Sequence, residues 1–397
     1  MKNESVAILD IRSCEVVFLL GSKGVNDTFV FYGSHTEKYD GFSLDGFYDV
    51  ESFRHAVVTA VTTVRQNYKG EIGQIYIGVP SAFLNVYTKG HTVSFSKKRK
   101  IHLQDIDFLL DSGLNGLMKT GQCIRRSSMY FSLGDSRKYF TTEEVLGNAT
   151  NLLQGALSYS YIDENFYVLL SSVLRDIGFS KPNFLPSSLA QALYLLPQKR
   201  REGYAFLLDI GLLTSSLSVV YGNAIVREES FDVGMGTVLV SLMETLNVEY
   251  AVAEEIMDTA DISGGNVPID TKLKWTSEHE DLSFPIYQIN DSIKQGVDVL
   301  CEKIDAFFNT YYKERNTTAL MVNPISITGE GALKIKGVSK HISQRLNRLT
   351  EVVAPDLPYY DKPCYSSRMA LLDLALKEEE KQGWIYRFFN NFGGRKK

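Results

Sequence analysis

Twice in this chain an apolar strand ends in Asp-Ile and passes through a short turn into a second apolar strand. The first copy runs from Val6-Ala7-Ile8-Leu9 through Asp10-Ile11 to Val16-Val17-Phe18-Leu19-Leu20. The second runs from Ala205-Phe206-Leu207-Leu208 through Asp209-Ile210-Gly211 to a strand from Leu217 to Tyr221. A lone two-stranded unit is barely stable in water, so each copy needs a larger sheet around it. Two copies about 200 residues apart therefore predict two related lobes facing a common cleft. The acidic residue at each turn would then hold a metal-bound phosphate between the lobes. Asp-Ile is also a common dipeptide and a polar turn needs no ligand, so on the pair alone both readings stand.

The rest of the chain fits this division. Its 397 residues suffice for two domains of ordinary size, and 44% hydrophobic residues with no low-complexity tract specify a folded body. After a strand at Thr28 to Tyr32, residues 49 to 66 read as a helix with Phe53, Val57, Val58, Val61 and Val64 on one face. A buried strand, Ile75 to Val79, follows and is stopped by Pro80. Residues 85 to 172 read as an inserted α+β unit, with helix-like runs at 103–111 and 142–156 and strands near 127–132 and 157–161. Ser187 to Leu196 reads as a helix leading into the second copy.

Charge and composition exclude several classes. A net charge of −5 argues against nucleic acid as a partner, since general affinity needs surplus Lys and Arg to displace counterions. Cys14, Cys123, Cys301 and Cys364 lie far apart and form no CxxC pair, as expected in a reducing compartment. The six histidines show no metal-ligand spacing. Asp10 and Arg12 interrupt the N-terminus before any run of signal-peptide length, and no stretch of about 18 apolar residues occurs. The expectation is a protein neither exported nor membrane-spanning.

Three further segments occur in a telling order. Gly234-Met235-Gly236-Thr237 precedes a helical run to Leu246, Ala253-Glu254-Glu255-Ile256 follows, and Ile327-Thr328-Gly329-Glu330-Gly331-Ala332 forms a glycine turn after a strand. Together with Asp209-Ile210-Gly211 and Thr214-Ser215, this resembles the actin-like ATPase superfamily, with its two phosphate turns and adenosine loop. Within it the chain most resembles FtsA, the bacterial division protein that links the FtsZ ring to the membrane. The insertion sits where FtsA has its 1C subdomain, and Lys97-Lys98-Arg99-Lys100-Ile101 leading into Asp105-Ile106 is similar to the opening of that subdomain. Pro363-Cys364-Tyr365-Ser366-Ser367 and then Ala370-Leu371-Leu372 resemble the stretch that closes the FtsA body.

The resemblance implies an α/β, actin-like two-lobe fold with an FtsA-type inserted 1C subdomain and a C-terminal amphipathic helix. Residues 1–84 and 173–203 would form lobe 1A, 85–172 the insertion, 204–240 and 311–375 lobe 2A, and 241–310 subdomain 2B. A linker at 376–382 would lead to a membrane-binding helix at 383–397. The implied nucleotide-binding set is Asp10, Arg12, Ser13, Asp209, Gly211, Thr214, Ser215, Gly234, Glu254, Gly329 and Gly331, with Asp10 and Asp209 holding Mg through water.

The phosphate turns nevertheless depart from the family pattern. A phosphate turn brings backbone N–H groups onto the anion, so side chains at its tip get in the way. Arg12 stands where relatives have Gly, Leu212 and Leu213 replace two glycines, and Ser216 replaces an acid. Ser187 and Ser188 take the place of the Glu-Pro that orients the attacking water, and Met257 that of a Lys near the nucleotide sugar. Hydrolysis needs a positioned water, so no catalytic residue is assigned and turnover is expected to be slow or absent. ATP with Mg could still bind for structure, Arg12 contacting a phosphate directly. An empty cleft is the competing expectation.

The last segment differs from the body. Residues 381 to 397 carry Lys381, Arg387, Arg395, Lys396 and Lys397 and no acid. Trp384, Ile385, Phe388, Phe389 and Phe392 recur at helical spacing over an arc of about 140 degrees. This matches an interfacial helix, aromatic rings in the acyl boundary and cations over anionic headgroups. The alternative is a terminal helix packed on the body or on a twin subunit. Burying five large apolar side chains yields on the order of 10 kcal/mol at most, and ordering each helix residue costs about 1 kcal/mol or more. A single tail should bind weakly, and several tails on one assembly should bind firmly. The implied function is an FtsA-like scaffold that self-associates into filaments and tethers FtsZ or other division proteins to an anionic membrane on its cytoplasmic side. A PilM-like component of a pilus or secretion assembly and an active actin-like ATPase are the alternatives.

Overall fold

Ser5–Ile11 (β1) and Glu15–Lys23 (β2) are buried along almost their whole length because they run through the middle of a sheet covered on both faces. The computed structural model describes residues 5–25, 28–117, 120–264, 268, 270–276, 281–315 and 323–393, with the backbone alone at 314–315 and 381–393. After β2 come Phe29–Lys38 (β3), a small hairpin of Phe42–Ser43 (β4) and Gly46–Phe47 (β5), the helix Val50–Asn67 (α1) and Ile72–Val79 (β6). Asp49 caps α1 by accepting from the amides of Glu51 and Ser52, and Phe53, Ala56, Val57, Ala60, Val61 and Val64 form its buried stripe.

The insertion follows as Leu84–Lys100 (β7), Leu103–Ser112 (α2), Gln122–Ser132 (β8), Thr142–Val145 (α3) and Ala149–Ile162 (β9). Its three strands form an antiparallel sheet in the order β7-β9-β8. The helix expected over 142–156 is only one turn long, closed by a capping box between Thr141 and Glu144. Residues 149 onward are strand because β9 pairs on both edges, with β7 and β8, and its inner residues alternate between buried and half-exposed.

Beyond β9 the chain returns to the first lobe as Glu164–Asp176 (α4), Asn183–Pro186 (β10) and Ser187–Leu195 (α5). Phe166, Leu170, Val173 and Leu174 of α4 join the core formed by β1, β2 and α1. The inserted unit therefore ends at Ile162, and the expected boundary at 172 is corrected. The sheet of this lobe has the order β10-β6-β1-β2-β3.

Gln198–Arg201 (α6) leads to the second lobe, built from Ala205–Ile210 (β11), Ser215–Tyr221 (β12), Ala224–Phe231 (β13), Met235–Leu246 (α7) and Tyr250–Thr259 (α8). A ribbon of Lys272–Thr276 (β14) and Asp281–Pro285 (β15) precedes Ile286–Arg315 (α9). Ile325–Thr328 (β16), Glu330–Lys334 (α10), Val338–Leu346 (α11) and Thr350–Val352 (β17) complete it. The sheet order is β13-β12-β11-β16-β17, which repeats the first lobe strand for strand. One hydrophobic core joins this sheet to α7, α8, α9 and α11, so residues 241–310 share their core with the second lobe and have none of their own.

The final helix, Ser366–Gly393 (α12), buries Met369, Ala370, Leu371, Leu372, Leu374, Ala375 and Leu376 against β1, β2, β6 and α5. The linker expected at 376–382 is thus part of a continuous helix, because its root is core and Glu378, Glu379 and Glu380 bond to Arg125, the Tyr76 hydroxyl and Lys23. For Trp384, Ile385, Arg387, Phe388, Phe389 and Phe392 the backbone is helical and the side chains lie outside the description, as do Arg395, Lys396 and Lys397 altogether. Among the described residues, no helix is long and apolar enough to cross a membrane. Leu371→Ala should lower stability by about 2–5 kcal/mol. Urea unfolding would register this as a lower midpoint with an unchanged slope.

Candidate functional site

The two Asp-Ile turns occupy equivalent places in their sheets. Asp10 pairs with Val17 on β2 and Gly78 on β6, and Asp209 pairs with Ser216 on β12 and Thr328 on β16. Both hairpins close in the same way, through Arg12 N–H to the Glu15 carbonyl at 2.8 Å and Gly211 N–H to the Thr214 carbonyl at 3.0 Å. Ser13-Cys14 and Leu212-Leu213 are the tips. The repeat in the sequence therefore becomes two turns facing each other across the interlobe cleft.

The turns touch. Arg12 Nη2 lies 3.5 Å from Asp209 Oδ1, with the two side chains 13% and 17% exposed. Ser13 Oγ accepts the Leu213 amide at 3.1 Å. Asp209 Oδ2 accepts from Gln191 Nε2 of α5 at 2.9 Å, so both of its oxygens have protein partners. Asp10 is 1% exposed, and its Oδ1 accepts from Ser367 Oγ of α12 at 2.6 Å. Burial pushes the Asp10 carboxyl above its ordinary range against the pull of Arg12 and Arg368. Burial opposes the charge on Arg12 too, but Asp209, Asp10, Glu15 and Glu330 outweigh it and the guanidinium stays charged. The Cys14 thiol is pushed up to about 11 by burial and by Glu330 and Glu15, which makes it a poor nucleophile.

Between the turns and α5 lies a cavity of about 60 Å³ lined largely by hydroxyls, among them Ser81, Ser187, Ser188, Ser215 and Ser230. Beside it, Glu228 of β13 accepts from Ser81 Oγ at 2.6 Å and Ser218 Oγ at 2.9 Å. Burial raises the Glu228 carboxyl despite these bonds and that of Ser188. Ser187 and Ser188 thus face a polar chamber and a carboxylate on the opposite lobe.

The candidate nucleotide residues all gather at this cleft, but they pack on one another. The α7 amides of Met235 and Gly236 donate to the carbonyls of Gly211 and Leu212, at 2.9 and 2.8 Å, and are not turned to an anion. Gly234 is needed because a Cβ would stand 2.5 Å from the Leu212 carbonyl. Gly329 has φ +92 and lies against the Asp209 carboxylate, and Gly331 lies against Ile210. Thr214 and Ser215 line the cavity, and Glu254 sits in electrostatic range of Glu330 and Lys334 on α10. Met257 is buried in the second-lobe core.

This arrangement does not fit a magnesium nucleotide. About 60 Å³ accommodates a few waters, whereas pockets for such ligands run to several hundred Å³. The expected phosphate contact of Arg12 is replaced by its pairing with Asp209, and of the expected Mg pair Asp209 has both oxygens bonded, to Arg12 and Gln191, while Asp10 has one, to Ser367. Among the described residues, no group of three or more His, Cys, Asp or Glu comes together to hold a metal. Gln191, Ser367 and Glu228 escape sequence reasoning because each reaches the cleft from an element far along the chain.

No protein-family model and no curated protein sequence matches the chain. Solved structures do match it. One is described as the PilM-PilN type IV pilus biogenesis complex, with TM-score 0.59 and 12% identity over 93% of this chain and 97% of that one. MreB5 of Spiroplasma citri bound to AMPPNP gives 0.56 and 10% over 96% and 100%. The MamK double helical filament gives 0.50 and 13% over 94% and 99%. The chain shares with these structures a mixed α/β, two-lobe actin-like fold.

A raised carboxyl pKa fixes the sign of one experiment. The Asp10 contribution to stability is fully present below its unfolded value, 3.8, and is lost as pH rises through the higher folded value. Asp10→Asn should therefore be no less stable than the parent at neutral pH and should lack this loss, which melting temperatures of both proteins across the acid range would reveal.

Proposed function

We propose that the chain is an actin-fold scaffold that works by binding and assembly, without turnover, and holds partners at the cytoplasmic face of a membrane. The observation that carries the absence of turnover is the cleft, where Arg12 pairs with Asp209 and serines stand at the water-orienting positions. Positioning a nucleophile in line with a phosphate needs room, and the cavity between the turns and α5 is only about 60 Å³.

Attachment is supported by two features of α12. Its root is core, tied to both β1 and α5, and the helix continues without a break through the aromatic residues to Gly393. A tail rooted in this way moves with the body, so the weak membrane affinity of one copy would be multiplied when bodies assemble. The MamK structure is a filament of the same fold, which supports self-association here.

On the sequence resemblance the partners are FtsZ or other division proteins, as for FtsA. A second reading is favoured by the fold likeness to the PilM-PilN complex: the partner would be the cytoplasmic tail of a membrane protein in a pilus or secretion assembly. Co-purification with FtsZ would select the first, and capture of a membrane-anchored partner without FtsZ the second. Removal of residues 383–397 should abolish sedimentation with anionic liposomes while leaving the melting temperature of the body unchanged. Equal sedimentation of the full and shortened chains would refute attachment through the tail.

A further inference from the structure

We infer that Arg12 and Leu213 together replace a bound ligand, so that the chain closes its own cleft and the lobes stay together without nucleotide. Arg12 opens the first turn and Leu213 stands at the tip of the second, and both reach the opposite lobe. The Arg12 guanidinium lies 3.5 Å from Asp209 and in the field of Asp10, Glu15 and Glu330. A carboxylate as buried as Asp209 needs a cation beside it. Arg12 supplies one that is covalently part of the first lobe and cannot dissociate.

Leu213 makes the complementary move from the second lobe. Its amide donates to Ser13 Oγ, and its side chain packs over Gly41 of the first lobe, where a Cβ would stand 2.6 Å from Leu213 Cδ1. Gly41 has φ +98, a conformation that disfavours any larger residue there as well. The closure is extended outward by Leu44 N–H donating to Asp232 Oδ1 at 2.8 Å and by Ser81 donating to Glu228. A diffusible ligand closes a cleft only as far as it binds the closed form more tightly than the open one. Here the closing groups are tethered, so their effective concentration is constant and closure does not follow ligand supply.

Amide hydrogen exchange on the full chain tests this without any nucleotide. The Leu213 amide should be protected in the parent protein, and in the variant Arg12→Gly/Leu213→Gly the segment 211–215 should exchange at least about tenfold faster while β11 stays protected. Adding about 1 mM Mg-ATP to the parent should leave both exchange and melting temperature unchanged. Loop-like exchange of residue 213 in the parent, unchanged exchange in the variant, or a rise of several degrees with Mg-ATP would each overturn the inference. Should the double variant fail to fold, Leu213→Ala alone, which keeps the amide and loses the cross-cleft side chain, is expected to show a smaller rise in the same segment, and no rise would count against the idea. None of these outcomes depends on the tail, so membrane attachment is judged separately.

Discussion

The position of α5 between the two sheets governs the rest of the molecule. Ala190 belongs to the first-lobe core beneath α12, while Leu189, Ala192 and Leu196 belong to a core with β11 and β12 of the second lobe. A helix apolar on opposite sides can be buried only between two partners. Its first turn thereby brings Ser187 and Ser188 to the cleft and Gln191 to Asp209. The spacing that α5 imposes is also what lets Arg12 on one lobe reach Asp209 on the other.

The final helix extends the same logic. Ser366 Oγ accepts from Thr328 Oγ1 of β16 at 2.7 Å in the second lobe, Ser367 donates to Asp10 in the first, and Arg368 reaches Glu15. Three successive residues at the start of α12 thus contact both lobes. Below them the helix is locked into the first lobe by seven buried apolar side chains and then by Glu378, Glu379 and Glu380. The cleft and the C-terminal segment are the two ends of one rigid element.

The chemistry of the cleft is that of a structural seam. Asp10 Oδ2 and the hydroxyls of Ser187 and Ser215 are buried without protein partners, which is costly by about 1–3 kcal/mol each when nothing else satisfies them. Hydroxyls around a small polar cavity are suited to water, which makes two to four bonds in such places. Small donors of this kind, with Glu228 beside them, can hold the lobes together.

Much of this was legible in the sequence. The doubled Asp-Ile strand unit, the glycine turns at 234–236 and 329–331 and the order of the motifs predicted two related lobes, because hydrophobic periodicity and turn chemistry are local properties. The residues at Arg12, Leu212, Leu213, Ser187 and Ser188 were legible as departures from the pattern the resemblance implies. Other features were not legible. The run from 149 to 156 reads as helix and is instead the first part of β9, because β7 and β8 offer it both edges. The segment at 376–382 reads as a polar linker and is helix because its root is buried. Above all, sequence determined which side chains stand at the turn tips, whereas only the tertiary structure decided what they bind: Arg12 meets Asp209 because packing around α5 brings residues 197 positions apart within 3.5 Å.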